Sequence, residues 1–302
     1  MTQVYDIAVI GTGPGGVSAA ITAKLRNKTV LLIGKSNLSD KLVKAERIEN
    51  YPGFPHVSGK DLAAAFLRHL HEMEIPVTDD RVTGVYPAKG GYALLTEKGE
   101  YAAKAVILST GVAAVKPLSG EEELLGRGVS YCATCDAPLY KGRPIAVLGY
   151  YKGADDEAAY LAERSAQVTY FPLYAGEKQP PQGTKTGEGI PLAIGKNGRE
   201  MMLKTTAGDL SFDGVFVLRE SVAPGHLVYG LKADDGAIAV DGGMRTNLPG
   251  VFACGDATGK PYQYVKAAGQ GNVAALSAVE YLAEQKRKKL QSEAPQPVNA
   301  EK

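Results

Sequence analysis

A glycine-rich turn set between a short apolar strand and a helix constrains this chain more than any other feature. Residues 5–10 form a β-type run, Gly11-Thr12-Gly13-Pro14-Gly15-Gly16 follows, and Val17, Ala20, Ile21, Ala23, Lys24 and Leu25 continue with helical spacing. A second β-run covers 29–33, so the unit reads strand, turn, helix, strand. Gly11, Gly13 and Gly16 fit G-x-G-x-x-G. The first glycine allows the tight turn, the second lets backbone approach a pyrophosphate, and the third lets the helix pack closely with its N-terminus facing the phosphates. One departure stands out. The acidic ribose contact expected about 20 residues further on would fall near Ile33 and Gly34, where no carboxylate stands, which leaves Ser36 as the candidate.

The same plan recurs at 145–171: strand 145–148, the turn GYYKGA, an alanine-rich helix from 155 to 164, and strand 167–171. Between the two units, 81–103 suits a small antiparallel meander and 105–108 a buried strand. Residues 175–200 read as an irregular connection or a pared-down part of the second unit. After 237 a strand reaches Gly255-Asp256, and a long helix runs from about 265 to 290. The tail QSEAPQPVNAEK is expected to be disordered.

Cys132-Ala133-Thr134-Cys135 precedes Asp136. Cysteines at this spacing close a small disulfide ring, and the first thiolate can attack another protein's disulfide while the second resolves the mixed disulfide. Asp136 is placed to move a proton to or from the leaving thiol. Zinc competes for the motif but needs a second ligand pair. Cys254 and the histidines His56, His69, His71 and His226 offer no paired spacing, so no metal is expected. Cys254 reads as a buried core thiol.

Composition narrows the setting. The chain has 302 residues, 44% of them hydrophobic and 22% charged, with a net charge of +1. That is enough apolar material for a core and no global bias toward nucleic acid or an anionic membrane. The start lacks the basic segment, longer apolar stretch and cleavage site of a signal peptide. No apolar run reaches the roughly 18 residues of a membrane span. A cytoplasmic protein away from membranes is expected, and there a close cysteine pair is catalytic rather than structural.

Together the motifs bring a family into view. YDIAVIGTGPGG, IENYPGF at 48–54, ILSTG at 107–111, GRGVSYCATCDAPLYKG at 126–142 and GVFACGDATG at 250–259 resemble the low-molecular-weight thioredoxin reductases. The resemblance spans nearly the whole chain, and CATCD is its most specific element. It implies an α/β fold of two Rossmann-like domains of three-layer ββα type. An FAD domain made of 1–113 and 238–302 would be interrupted by a CxxC-bearing central domain, 114–237, with hinges near 112–116 and 232–240. It further implies a homodimer, and FAD held by Gly11, Gly13, Pro14, Gly15, Gly16, Ser36, Leu42, Asn50, Val82, Thr110, Gly111, Gly255, Asp256, Lys266 and Ala267. Cys135 would face the flavin and Cys132 would attack thioredoxin.

The electron donor is where the chain departs from the NADPH-dependent members. Their central domain carries its own G-x-G-x-x-G/A turn and a basic cluster for the 2′-phosphate. Here the turn is Gly149-Tyr150-Tyr151-Lys152-Gly153-Ala154, with Tyr151 at the close-approach position, and Pro172-Leu173-Tyr174-Ala175-Gly176-Glu177 replaces the arginines. NADPH is therefore not expected as donor. The GY turn and TGKPYQYVKAAGQG at 258–271 resemble ferredoxin-dependent flavin thioredoxin reductases, which makes reduced ferredoxin the implied donor. Lys286-Arg287-Lys288-Lys289 and the lysines of 178–196 are candidates for docking an acidic partner. The alternatives are an NADPH-dependent reductase with a divergent site, a reductase with another thiol substrate or one-electron donor, and a flavin redox sensor without turnover.

Overall fold

Ile7, Ala8 and Val9 are all fully buried, as a strand inside a parallel sheet covered on both faces must be. The computed structural model of the chain describes residues 3–112, 117–219, 227–234 and 237–293. In chain order the strands are β1 (Val4–Ile10), β2 (Val30–Gly34), β3 (Val77–Asp79), β4 (Val82–Ala88), β5 (Gly91–Thr96), β6 (Glu100–Leu108), β7 (Val129–Ser130), β8 (Pro144–Gly149) and β9 (Gln167–Pro172). They continue with β10 (Thr184–Thr186), β11 (Pro191–Asn197), β12 (Glu200–Thr205), β13 (Gly208–Phe212), β14 (Gly214–Leu218), β15 (Ala233–Asp234), β16 (Ala237–Ile238) and β17 (Val251–Ala253). The helices are α1 (Pro14–Leu25), α2 (Asp40–Val43), α3 (Gly59–Glu72), α4 (Ala133–Asp136), α5 (Ala154–Ala162) and a C-terminal helix (Tyr264–Glu293).

The chain divides into two compact units, 1–112 with 223–302, and 113–222. The segment around 228–232 is held on the first unit: Val228 bridges Val85, and the Asn247 side chain takes the Lys232 amide at 2.8 Å and donates to the Gly230 carbonyl at 2.8 Å. The described residues 227–234 thus group with the first unit, where the expectation set them in the central domain. The hinge residues 113–116 and 235–236, His226 and the tail from 294 lie outside the described residues. Residues 291–293 of the expected tail continue the C-terminal helix.

The first unit is built on a sheet ordered β3-β2-β1-β6-β5-β4, with β17 also pairing β6. β1, β2, β3, β17 and the second half of β6 run parallel, while β4 and β5 form the antiparallel meander. Ile7, Val9, Leu32, Ile107 and Phe252 face α1, α3 and the C-terminal helix, meeting Val17, Ala20, Ala23, Leu62, Leu70, Ala274, Ala275 and Ala278. Small residues let α1 and the C-terminal helix come so close that a Cβ on Gly271 would lie 2.0 Å from the Gly15 carbonyl oxygen.

The second unit repeats the plan with a parallel sheet β10-β9-β8-β14-β7 and a separate antiparallel sheet β11-β12-β13. Its core joins Ile145, Val147, Val168, Tyr170, Phe216 and Leu218 to Ala133 and Ala137, and to Ala154, Ala158 and Leu161 of α5. The stretch 175–200 is more regular than its composition suggests. It contains β10, paired with β9 through Thr184 and Val168, and β11, whose partner β12 buries Met201 and Leu203 alternately. Short strands in a Gly-, Pro- and Lys-rich stretch carry too few apolar residues to be read locally. Similarly, β17 ends at Ala253, and Gly255–Thr258 forms a 3-10 turn rather than the strand's end. Among the described residues no helix is long and apolar enough to cross a membrane.

Leu32 is fully buried in the first unit's core. Leu32→Ala is expected to destabilise that unit by about 2 to 5 kcal/mol, read as a lower denaturant midpoint in its unfolding.

Candidate active site

The three fingerprint glycines of the first unit do different jobs. Gly11 has φ +111°, and a Cβ there would lie 2.2 Å from the Ser109 carbonyl oxygen. At Gly16 a Cβ would lie 1.8 Å from the Gly11 carbonyl oxygen, so packing itself forbids a side chain at either position. Gly13 differs. It caps α1 with φ −76° and ψ 179°, a conformation open to any residue, and its Cβ would meet only the Ser39 Cβ, at 3.8 Å. Nothing in the protein demands glycine there. A ligand brought against the backbone at the start of α1 does, and Pro14 at the first helical position gives up an amide that has no intrahelical partner anyway.

Most of the expected cofactor residues gather at the carboxyl ends of β1, β6 and β17. A Cβ on Gly15 would meet Ser109 Oγ at 2.8 Å, the Ala267 carbonyl oxygen at 3.0 Å and Cys254 Sγ at 3.3 Å, and one on Gly255 would meet the Ala267 Cβ at 3.3 Å. Thr110 and Gly111 follow β6 directly. Thr110 Oγ1 is buried with no hydrogen-bond partner among the described residues. Lys266 Nζ donates to the Gly255 and Gly259 carbonyls at 3.1 and 2.7 Å, and desolvation lowers its pKa. Asp256 pairs with Lys41 at 2.5 Å, and Asn50 donates to Gln263 Oε1 at 2.7 Å. Ser36 lies past the end of β2 and donates to Asp79 at 3.1 Å. Leu42 and Val82 are buried, at 0% and 6% exposure, so their side chains are occupied by packing and only backbone remains to meet a ligand. Sequence reading missed Lys41, Gln263 and Gln270, whose Oε1 accepts from the Gly255 amide at 3.0 Å. Each owes its place to a partner more than ten residues away, which no local pattern encodes.

In the second unit Cys132 and Cys135 form a disulfide. Cys132 follows β7 by two residues and caps α4; its Sγ accepts from the Cys135 amide at 3.2 Å and lies 3.4 Å from Thr134 Oγ1. Ser130 Oγ accepts from the Cys132 amide at 3.1 Å. The Cys135 amide and the Thr134 hydroxyl would stabilise a thiolate on Cys132 after reduction. Cys132 is 8% exposed and Cys135 is exposed, while Asp136 closes α4. Among the described residues no group of three or more His, Cys, Asp or Glu side chains converges as a metal site.

The second glycine turn is filled by its own side chains. A Cβ on Gly153 would lie 2.6 Å from Tyr151 Cε2, so the Tyr151 ring lies over that glycine. The Tyr151 hydroxyl donates to Glu157. The first turn of α5 carries Asp155, Asp156 and Glu157, and Asp155 takes the Tyr170 and Tyr174 hydroxyls at 2.5 and 2.7 Å. At the ends of β8 and β14 the Arg219 guanidinium lies 4.7 Å from the Tyr150 ring centre. It donates through both terminal nitrogens to Glu121, which is fully buried.

Comparison with known proteins agrees with this geometry. Residues 5–174 and 185–271 match the family described as pyridine nucleotide-disulphide oxidoreductase. The chain is 32% identical to a thioredoxin reductase of Listeria innocua over 94% of this chain and 96% of that one. It is 34% identical to one of Peptoclostridium litorale over 94% and 99%. A crystal structure of a ferredoxin-flavin thioredoxin reductase from Clostridium acetobutylicum is 46% identical, with a TM-score of 0.83, over 94% of this chain and 99% of that one. The chain belongs to the thioredoxin reductase family. This reductase is a disulfide oxidoreductase and a flavoprotein whose cofactor is FAD. The open space at Gly13 and the unsatisfied Thr110 hydroxyl fit such a ligand at the strand ends.

Two outcomes follow for the reductase. Gly13→Ala is expected to change the stability of flavin-free protein by less than about 1 kcal/mol yet to weaken FAD binding more than tenfold, whereas Gly16→Ala costs about 3 kcal/mol or more. Flavin fluorescence titration and urea unfolding separate the two. Burial also pushes the Cys254 thiol up from 9.0 to about 11, against smaller opposing effects of Ser109 and Lys266. The unfolded thiol ionises first, so this contribution to stability is complete below pH 9 and is lost as pH rises toward 11. The alkaline fall in unfolding free energy over that window is expected to shrink in Cys254→Ala.

Proposed function

We propose that the reductase draws electrons from reduced ferredoxin and delivers them to the disulfide of thioredoxin. The β8–α5 turn carries the donor half of this reading. A nicotinamide dinucleotide needs backbone amides open at a helix N-terminus and a cation for its extra phosphate. In this turn the Tyr151 ring covers Gly153 and three carboxylates occupy the first turn of α5, so the place for phosphate is both filled and negatively charged. The likeness to a ferredoxin-flavin thioredoxin reductase at 46% identity supports the same donor.

FAD, when bound, accepts electrons singly and passes them on as a pair. Gly11, Gly13, Pro14, Gly15 and Gly16, with Thr110, Gly111, Gly255, Asp256, Lys266 and Ala267, would hold it, and Ser36, Leu42, Asn50 and Val82 would line its further reaches. In this assignment the first unit serves as the FAD domain and the second as the central domain of a cytoplasmic homodimer. Reduction opens the Cys132–Cys135 bond, with Cys135 the sulfur toward the flavin. The Cys132 thiolate, held by the Cys135 amide, attacks one sulfur of the thioredoxin disulfide and expels the other as a thiolate, which Asp136 helps to protonate. Cys135 then attacks Cys132, restoring the internal disulfide and releasing thioredoxin as a dithiol. Because the same pair serves both the flavin and an outside protein, we assign the exchange to a rotation of the central domain. The exposed cations Lys286, Arg287, Lys288 and Lys289, with Lys178, Lys185 and Lys196, are the surfaces offered to an acidic donor.

Anaerobic flavin absorbance tests the donor. Reduced ferredoxin is expected to bleach the flavin within the turnover time and oxidised thioredoxin to restore it, while excess NADPH leaves it oxidised. Rapid bleaching by NADPH would return the chain to the pyridine-nucleotide branch. Bleaching by ferredoxin without reoxidation by thioredoxin would point to another thiol substrate.

A further inference from the structure

A dinucleotide fingerprint asks for a carboxylate at the end of the second strand, where it accepts hydrogen bonds from a ribose. This chain has Gly34, Lys35 and Ser36 at that place. The sheet order brings a carboxylate from the neighbouring strand instead. β3 is the edge strand beyond β2, and Asp79 is the register partner of Gly34. Ser36 Oγ donates to Asp79 Oδ2 at 3.1 Å, which orients the carboxylate at the same sheet edge as the glycine turn. A carboxylate has about four acceptor sites, so one serine bond leaves capacity for a sugar hydroxyl. Asp79's own carbonyl oxygen is held by Lys98 Nζ, which ties the strand end down. Of the other carboxylates near these strand ends in sequence, Asp40 is engaged by Lys35 at 2.7 Å, and Asp80 is buried and accepts from the Arg81 amide at 2.7 Å.

We propose that Asp79, aligned by Ser36, is the ribose-binding carboxylate of this reductase and accepts the 2′-hydroxyl of the FAD adenosine. The inference rests on the reading that the Gly11–Gly16 turn cradles the FAD pyrophosphate. From that turn the adenosine side of a dinucleotide passes over the end of the second strand, where Gly34, Ser36 and Asp79 stand together. The role has moved one strand outward, from the end of β2 to the end of β3, because β2 ends in residues that carry no negative charge.

The test uses the full chain freed of flavin and titrated with FAD, or with an FAD analogue lacking the 2′-hydroxyl of its adenosine ribose, followed by flavin fluorescence. A charge-assisted hydrogen bond at an exposed site predicts about a tenfold loss of FAD affinity in Asp79→Asn and a smaller loss in Ser36→Ala. Wild type is expected to prefer FAD to the analogue by a similar factor, and Asp79→Asn to bind both within twofold. FAD affinity within twofold of wild type in Asp79→Asn, or an undiminished preference for FAD over the analogue, would overturn the assignment. Unchanged melting of flavin-free Asp79→Asn keeps the reading separate from a folding defect. If Gly13→Ala also binds FAD as wild type does, the underlying cradle reading fails instead.

Discussion

The carbonyl oxygen of Gly11 stands 1.8 Å from where a Cβ of residue 16 would be, and the geometry of the first unit depends on that near-contact. It presses the first turn of α1 against the end of β1, so the helix N-terminus points along the carboxyl edge of the sheet. Once α1 is that close, the C-terminal helix can lie against it only through small residues, and Gly15 faces Gly271 across the contact. The chain's two ends are thereby joined over one edge, where the ends of β6 and β17 contribute Thr110 and Gly255. A Gly16 side chain would displace all of these groups at once.

The same topology occurs twice with opposite outcomes. In the first unit the space beyond the turn is left open at Gly13, and one buried hydroxyl remains without a partner. In the second unit the corresponding space is closed by Tyr151 over Gly153. Asp155 takes two tyrosine hydroxyls, and Arg219 lies against Tyr150 while pairing with a buried glutamate. Polar groups at this turn thus bond to side chains of their own unit. Buried groups left unpaired cost free energy, and here side chains of the same unit supply the partners.

The Cys132–Cys135 disulfide sits where little regular structure holds it. β7 is two residues long, and α4 is a single turn. Its placement relies on local bonds, the Ser130 hydroxyl to the Cys132 amide and the Cys135 amide to Cys132 Sγ. A short element of this kind can shift without breaking a large sheet.

Several features were legible in the sequence alone because their physics is local. The glycine turn between strand and helix, the CxxC spacing, the repeated strand-turn-helix-strand plan and the tyrosine in the second turn each need only a few consecutive residues. The family resemblance extended the reading to the discontinuous first domain. What tertiary structure alone decided are pairings between distant segments. Lys41 meets Asp256, Gln263 meets Asn50, the strands of 184–212 find partners to bury against, and Asp79 comes alongside Gly34. The sequence showed that a carboxylate was missing from the end of the second strand. Only the sheet order, which sets β3 beside β2, reveals which carboxylate stands there, because strand neighbours are chosen by packing across the whole core rather than by adjacent residues.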